Sequence, residues 1–128
     1  MCYEPEQAAR VCYAAVRQLR EEQGDRRGAA WDLLPGQERE WYCRAMERAA
    51  SGMLPAGIHG AWRRELEADG WIEAPDISHA DRTHPELVPW DALGEPSRRR
   101  FFLMQMIACG LFLDIPLGSS GMAREASW

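Results

Sequence analysis

The chain has 128 residues, 46% of them hydrophobic, enough for one domain with a buried core. Its net charge of −5 and pI near 5.2 exclude a general nucleic-acid binder, which needs a basic face to displace counterions, so no DNA or RNA partner is expected. All 15 basic residues are arginine, so any anion gripped by a cation meets a planar, two-pronged guanidinium.

The opening Met1-Cys2-Tyr3-Glu4-Pro5-Glu6 lacks the basic and apolar regions of a signal peptide, and none is expected. From Pro5 to about Gln23 the spacing predicts a first helix, with Ala8, Val11, Cys12, Ala15, Val16 and Leu19 as its apolar stripe. Glu6 at its start and Arg17 and Arg20 near its end complement the helix dipole. Gly24 and Gly28 punctuate the turn that follows. Trp31-Asp32-Leu33-Leu34-Pro35 leads into a second helix, about 35–51, suggested by the periodic Tyr42, Met46, Ala49 and Met53; Gly52 and Pro55 end it.

A third helix, about 56–69, sets Ile58, Trp62 and Leu66 on one face, with His59 and Arg63 bordering that face and Gly70 as the cap. Trp71 to Ala74 and Glu86 to Val88 are expected to pair as short strands, which Pro75 and Pro89 confine to edges. Between them, the polar loop from Asp76 to Arg82 is of the kind that carries function on a rigid scaffold. A fourth helix, about 95–112, has Pro96 in its first turn and runs from Arg98-Arg99-Arg100 into Phe101, Phe102, Met104 and Ile107. Its apolar run is too short to span a bilayer and reads as a buried helix, so no membrane partner is expected. The predicted fold class is mostly α: a compact bundle of about four helices with a small two-stranded β element. A single domain over 1–116 is followed by a Gly/Ser-rich tail over 117–128, expected to be flexible.

Enzymatic and metal chemistry find little to build on. Cys2, Cys12, Cys43 and Cys109 show no CxxC or zinc spacing, and the last three fall on apolar helical faces as small buried hydrophobes. With no disulfide framework, a reducing, cytoplasmic setting is expected. His59, His79 and His84 match no familiar ligand spacing, so neither metal nor cofactor is expected. There is no phosphate loop followed by Lys and no Gly-x-Ser-x-Gly elbow, and the chain is read as non-enzymatic.

The distinctive stretch runs from Ile58 to Trp90. Three tryptophans (Trp62, Trp71, Trp90) and the histidines His59 and His84 lie there among Arg63, Arg64 and Arg82. Trp62 has two readings: packing beside Ile58 and Leu66, or a platform on which a purine stacks. His84, extended before Pro85, either pins the loop or donates to a ribose or phosphate. Trp71 and Trp90 are core residues or the second wall of an aromatic clamp. Arg98-Arg99-Arg100, the densest basic cluster, is either a solvated face or a second anion position.

In order and spacing, His59-x-x-Trp62, Gly70-Trp71, Arg82-x-His84-Pro85 and Leu87-Val88-Pro89-Trp90 resemble the ryanodine-receptor repeat (RyR) domain family over about residues 56–112. The chain departs from the family pattern at Ile72-Glu73-Ala74-Pro75, where Tyr-Gly-Pro is usual after Gly-Trp, and at Glu86, where Cys often follows His-Pro. The resemblance implies an RyR core at about 56–112 behind an N-terminal helical extension at about 1–55, as in stand-alone phage or bacterial relatives. It also implies an adenine-nucleotide pocket centred on Trp62.

The combined expectation is non-enzymatic binding of a nucleotide-derived, adenine-containing molecule, such as a cyclic ADP-ribose-like or cyclic nucleotide signal. The expected ligand-binding residues are His59, Trp62, Arg63, Trp71, Arg82, Thr83, His84 and Trp90. Sequestration of the signal as a phage counter-defence sponge, in the host cytoplasm if phage-encoded, or sensing of it, would follow. A homodimer is a further expectation, because receptor repeats occur in pairs. The alternative is a structural or protein-interaction domain without a small-molecule ligand.

Overall fold

The computed structural model describes residues 5–112; the expected C-terminal tail lies outside them. Four helices carry the architecture: α1 (Pro5–Glu22), α2 (Gly36–Ala50), α3 (Pro55–Ala68) and α4 (Glu95–Phe112). Two short strands, β1 (Ile72–Glu73) and β2 (Thr83–His84), pair between α3 and α4. The fold is therefore a mostly helical bundle with a small β element.

Helix boundaries follow the local chemistry. Pro35 precedes α2 as its cap residue, and Pro55 occupies the first turn of α3, where its missing N–H costs no hydrogen bond. Gly52 and Gly70 leave α2 and α3 with φ of 101° and 90°, a left-handed exit that other residues adopt at a cost.

The buried face of α1 is turned by one step from the predicted stripe. Ala8, Ala9, Cys12, Tyr13 and Val16 are buried, whereas Val11 is 42% exposed. The reason lies in α2: Tyr13 stacks edge-on against Tyr42 and donates its hydroxyl to the Ala29 carbonyl, and this aromatic contact sets the helix rotation. Trp31, Trp41 and Tyr42 complete that aromatic cluster. One apolar core, from Ala8 on α1 to Ala108 on α4, joins α1, α2, α3 and α4.

Two other expectations need correction. α4 is buried on one side only: Phe101, Met104 and Ala108 face the core, while Phe102 and Met106 point outward. Cys109 lies on that outer side and is exposed, in contrast to buried Cys12.

The strand pairing also differs. β1 pairs in parallel with Thr83–His84, upstream of the predicted Glu86–Val88. Pro85 has no N–H to give a ladder, so the extended segment ends at His84. A parallel pair joined by so few residues requires the intervening loop to double back, and the antiparallel Ser78–Thr83 bridge does this. Arg82, at φ 56°, makes the sharp reversal into β2.

Candidate functional site

Four of the eight expected site residues come together. His59 and Trp62 from α3, His84 from β2 and Trp90 from the 3-10 turn before α4 gather around Phe101. Trp62 presents its ring to His84 edge-to-face, with centroids 5.0 Å apart and planes at 79°. Both side chains are half-buried. Trp90 packs on Phe101 and Phe102, and the Arg98 guanidinium lies 5.9 Å from its centroid, a cation–π distance.

His59 sits behind this face. It is 1% exposed, and its Nε2 is 3.0 Å from the carbonyl oxygen of Glu86, to which it donates. Burial pushes its pKa below the ordinary value, against the opposing hydrogen bond to Glu86, so the ring is neutral. Its expected role as a ligand contact is corrected to a positioning one: it fixes the Trp62 and Trp90 rings and ties α3 to the segment after Pro85.

His84 is the group best placed to recognise something polar. Its Nδ1 accepts the Glu86 backbone N–H at 3.1 Å. Burial, together with the positive charges of Arg20, Arg100 and His79, holds its pKa at about 4 against the pull of the Glu86 carboxylate. A neutral ring whose Nδ1 accepts must carry its proton on Nε2. That Nε2–H has no hydrogen-bond partner among the described residues.

The remaining four expected residues hold the scaffold. Arg63 pairs with Glu67 one turn along α3 at 3.0 Å. Arg82 donates to the Asp69 carbonyl at 2.6 Å, satisfying an end carbonyl of α3. Thr83 donates its hydroxyl to the Asp76 carbonyl at 2.9 Å and closes the loop. Trp71 stands apart, edge-on against His79 at 5.4 Å. Arg63 and Arg82 are thus already engaged, whereas exposed Arg64, the third arginine of this stretch, has no side-chain hydrogen bond or ion pair among the described residues.

Glu86 is the residue that sequence reasoning passed over. Its carbonyl holds His59, its N–H orients His84, and its carboxylate pairs with Arg100 and accepts from Ser97 at 2.7 Å. In the sequence it stands only at the start of an expected strand and as a departure from the family pattern, and no local signal marks a residue that acts through both backbone and side chain. The three arginines at the start of α4 diverge. Arg98 donates to the Leu93 carbonyl at 3.0 Å, Arg99 pairs with Glu95 at 3.5 Å, and Arg100 turns inward to Glu86 and to Gln23 just after α1. They do not form one anion-binding cluster.

A separate groove of ≈ 450 Å³ lies between α1 and α2, lined by Glu6, Arg10, Trp31, Arg39, Glu40 and Cys43 among others. It contains none of the expected site residues, and its charges of both signs define no preferred ligand. Neither the protein-family models nor the curated proteins contain a match to this chain.

Proposed function

We propose that the chain binds a nucleotide-derived small molecule, without transforming it, on the face formed by Trp62 and His84. The observation that carries this reading is the pairing of a partly buried indole with a neutral imidazole whose Nε2–H is uncommitted. An indole supplies a stacking surface for a flat base, and an imidazole N–H supplies a directional donor beside it. The resemblance of this stretch to RyR repeats supports an adenine-containing guest, including cyclic ADP-ribose-like and cyclic nucleotide signals. Sequestering such a signal as a phage counter-defence sponge, or sensing it, is the role consistent with binding without chemistry.

Magnitudes restrict how binding works. Stacking contributes about 1–3 kcal/mol per base, whereas micromolar affinity requires about 8 kcal/mol. Polar contacts therefore supply the larger share.

Thermal denaturation with adenosine, AMP, ADP-ribose and cyclic nucleotides tests the proposal. A true ligand at a hundredfold excess over Kd adds about 2.7 kcal/mol of stability, a shift of several degrees. Trp62→Ala should fold and lose that response. A folded Trp62→Ala protein that still responds normally would reject the site.

A second reading has its own support. Phe102 and Met106, 50% and 68% exposed, form an outward apolar ridge on α4 beside Trp90. Such a ridge suits a protein-docking face, including one between two copies of the chain. A flat response to every nucleotide, with self-association seen by light scattering and lost in Phe102→Glu, would favour it.

A further inference from the structure

Arg63 and Arg82 are tied up elsewhere and exposed Arg64 carries no described partner, yet a further cation acts on the His84 end of the site from a distant segment. On α1 the buried residues Cys12 and Val16 lead, at one-turn intervals, to Arg20. Gln23 follows one turn further, and its side chain reaches α4: Oε1 accepts from Arg100 at 2.6 Å and Nε2 donates to the Pro96 carbonyl at 3.0 Å. Arg100 pairs with Glu86, whose N–H is bonded to His84. The face of α1 that carries Arg20 is thus directed at the Glu86–His84 corner.

Charge at this corner is out of balance. Glu86 is claimed by Arg100 and Ser97, and nearby Asp25 is claimed by Arg27 at 2.9 Å. Among the described residues, half-buried Arg20 has no hydrogen bond or ion pair through its side chain. The Tyr42 hydroxyl, which lies within electrostatic reach of both Arg20 and Arg100, likewise has no described partner. Two donors that act on one another therefore stand unused: the Arg20 guanidinium and the His84 Nε2–H. Independent support comes from the electrostatics, since Arg20 and Arg100 both depress the protonation of His84.

We infer that Arg20, with the Nε2–H of His84, forms the oxyanion subsite of this protein and takes the phosphate of a ligand whose base lies on Trp62. The inference rests on the nucleotide reading for the base and on Arg20 beside the His84 Nε2–H for the anion, and since Arg20 has no part in the base site, the two can fail separately. A guanidinium matches the two oxygens of a phosphate edge, and the adjacent imidazole donor fixes its orientation.

The test uses the intact chain with three probes: inorganic phosphate, AMP and adenosine. Titration of the His84 imidazole by NMR reports anion binding directly. The groups acting on that ring are Arg20, Arg100, His79 and Glu86, and none but Arg20 is altered. Saturating phosphate should raise the His84 midpoint in the wild type and leave it unmoved in Arg20→Gln. Arg20→Gln should weaken AMP binding about tenfold or more and leave adenosine unchanged. Should that variant fail to fold, Arg20→Lys keeps the charge and loses the fork, and it should weaken AMP about threefold.

AMP affinity unchanged in either folded variant would overturn the subsite while the Trp62 reading stands. Equal losses for AMP and adenosine would overturn it as well, since they would mark a structural effect. An Arg20-dependent phosphate shift without any nucleotide binding would support the subsite and reject the nucleotide reading. Absence of a phosphate shift in the wild type would sink the subsite outright.

Discussion

Glu86 and Arg100 form an ion pair inside the protein, with side chains only 16% and 12% exposed. The pair fastens the segment after β2 to the first turns of α4, and the backbone of Glu86 orients both histidines of the site. Its structural weight therefore exceeds that of the exposed surface pairs such as Arg99–Glu95.

Removing one partner should be costly. Glu86→Ala leaves the Arg100 guanidinium buried and uncompensated, and about 3 kcal/mol of stability should be lost in urea denaturation. The double variant Glu86→Gln with Arg100→Met should recover much of it, because neither partner then leaves a buried charge. A Glu86→Ala loss below about 0.5 kcal/mol would show that the pair is incidental.

Acid stability should depend on His84. Its folded pKa, about 4, lies below the ordinary 6.5, so between these values the unfolded chain binds a proton that the native chain refuses. Stability is then complete above about pH 6.5 and falls as pH drops toward 4, by at most about 3 kcal/mol from this residue. Comparing wild type with His84→Gln across that window isolates the effect from the carboxylates. Parallel stability curves would refute it.

Trp62 and Trp71 should behave differently. Trp62 faces His84 in the ring cluster, whereas Trp71 packs on His79 apart from it. Trp62→Ala should abolish the thermal response to adenine nucleotides, and Trp71→Ala should retain it. Equal loss in both would show that the ligand-binding face extends to Trp71.

Thiol reactivity should rank by environment. Among the described cysteines, Cys109 is exposed and should react first with a disulfide reagent, Cys43 more slowly, and Cys12 only on unfolding. Burial pushes the Cys12 thiol up to about 12, which suppresses the reactive thiolate. Peptide mapping of the modified sites checks the order; early labelling of Cys12 would contradict the packing of α1.

At Gly70, φ of 90° makes alanine unfavourable, although an added Cβ would meet the Arg82 guanidinium at an ordinary 3.5 Å. Gly70→Ala should lower stability by about 1–2 kcal/mol in thermal melts. An unchanged melting temperature would show that α3 can end another way.

The helices could be read from the chain because their signals are local. Apolar spacing along Pro5–Glu22, prolines beside α2 and α3, and Gly70 after α3 each act within a turn or two of backbone. The convergence of His59, Trp62, His84 and Trp90 was legible for a related reason, since these residues lie within one continuous stretch. Only the folded arrangement decided which of them faces outward, because burial depends on where α4 places Phe101. It also decided how the arginines divide. Glu67 and the Asp69 carbonyl occupy Arg63 and Arg82, whereas Arg64 on α3 and Arg20 on α1 have no ion pair among the described residues. Ion pairing is a competition among groups far apart in sequence, and its outcome exists only once the helices are packed.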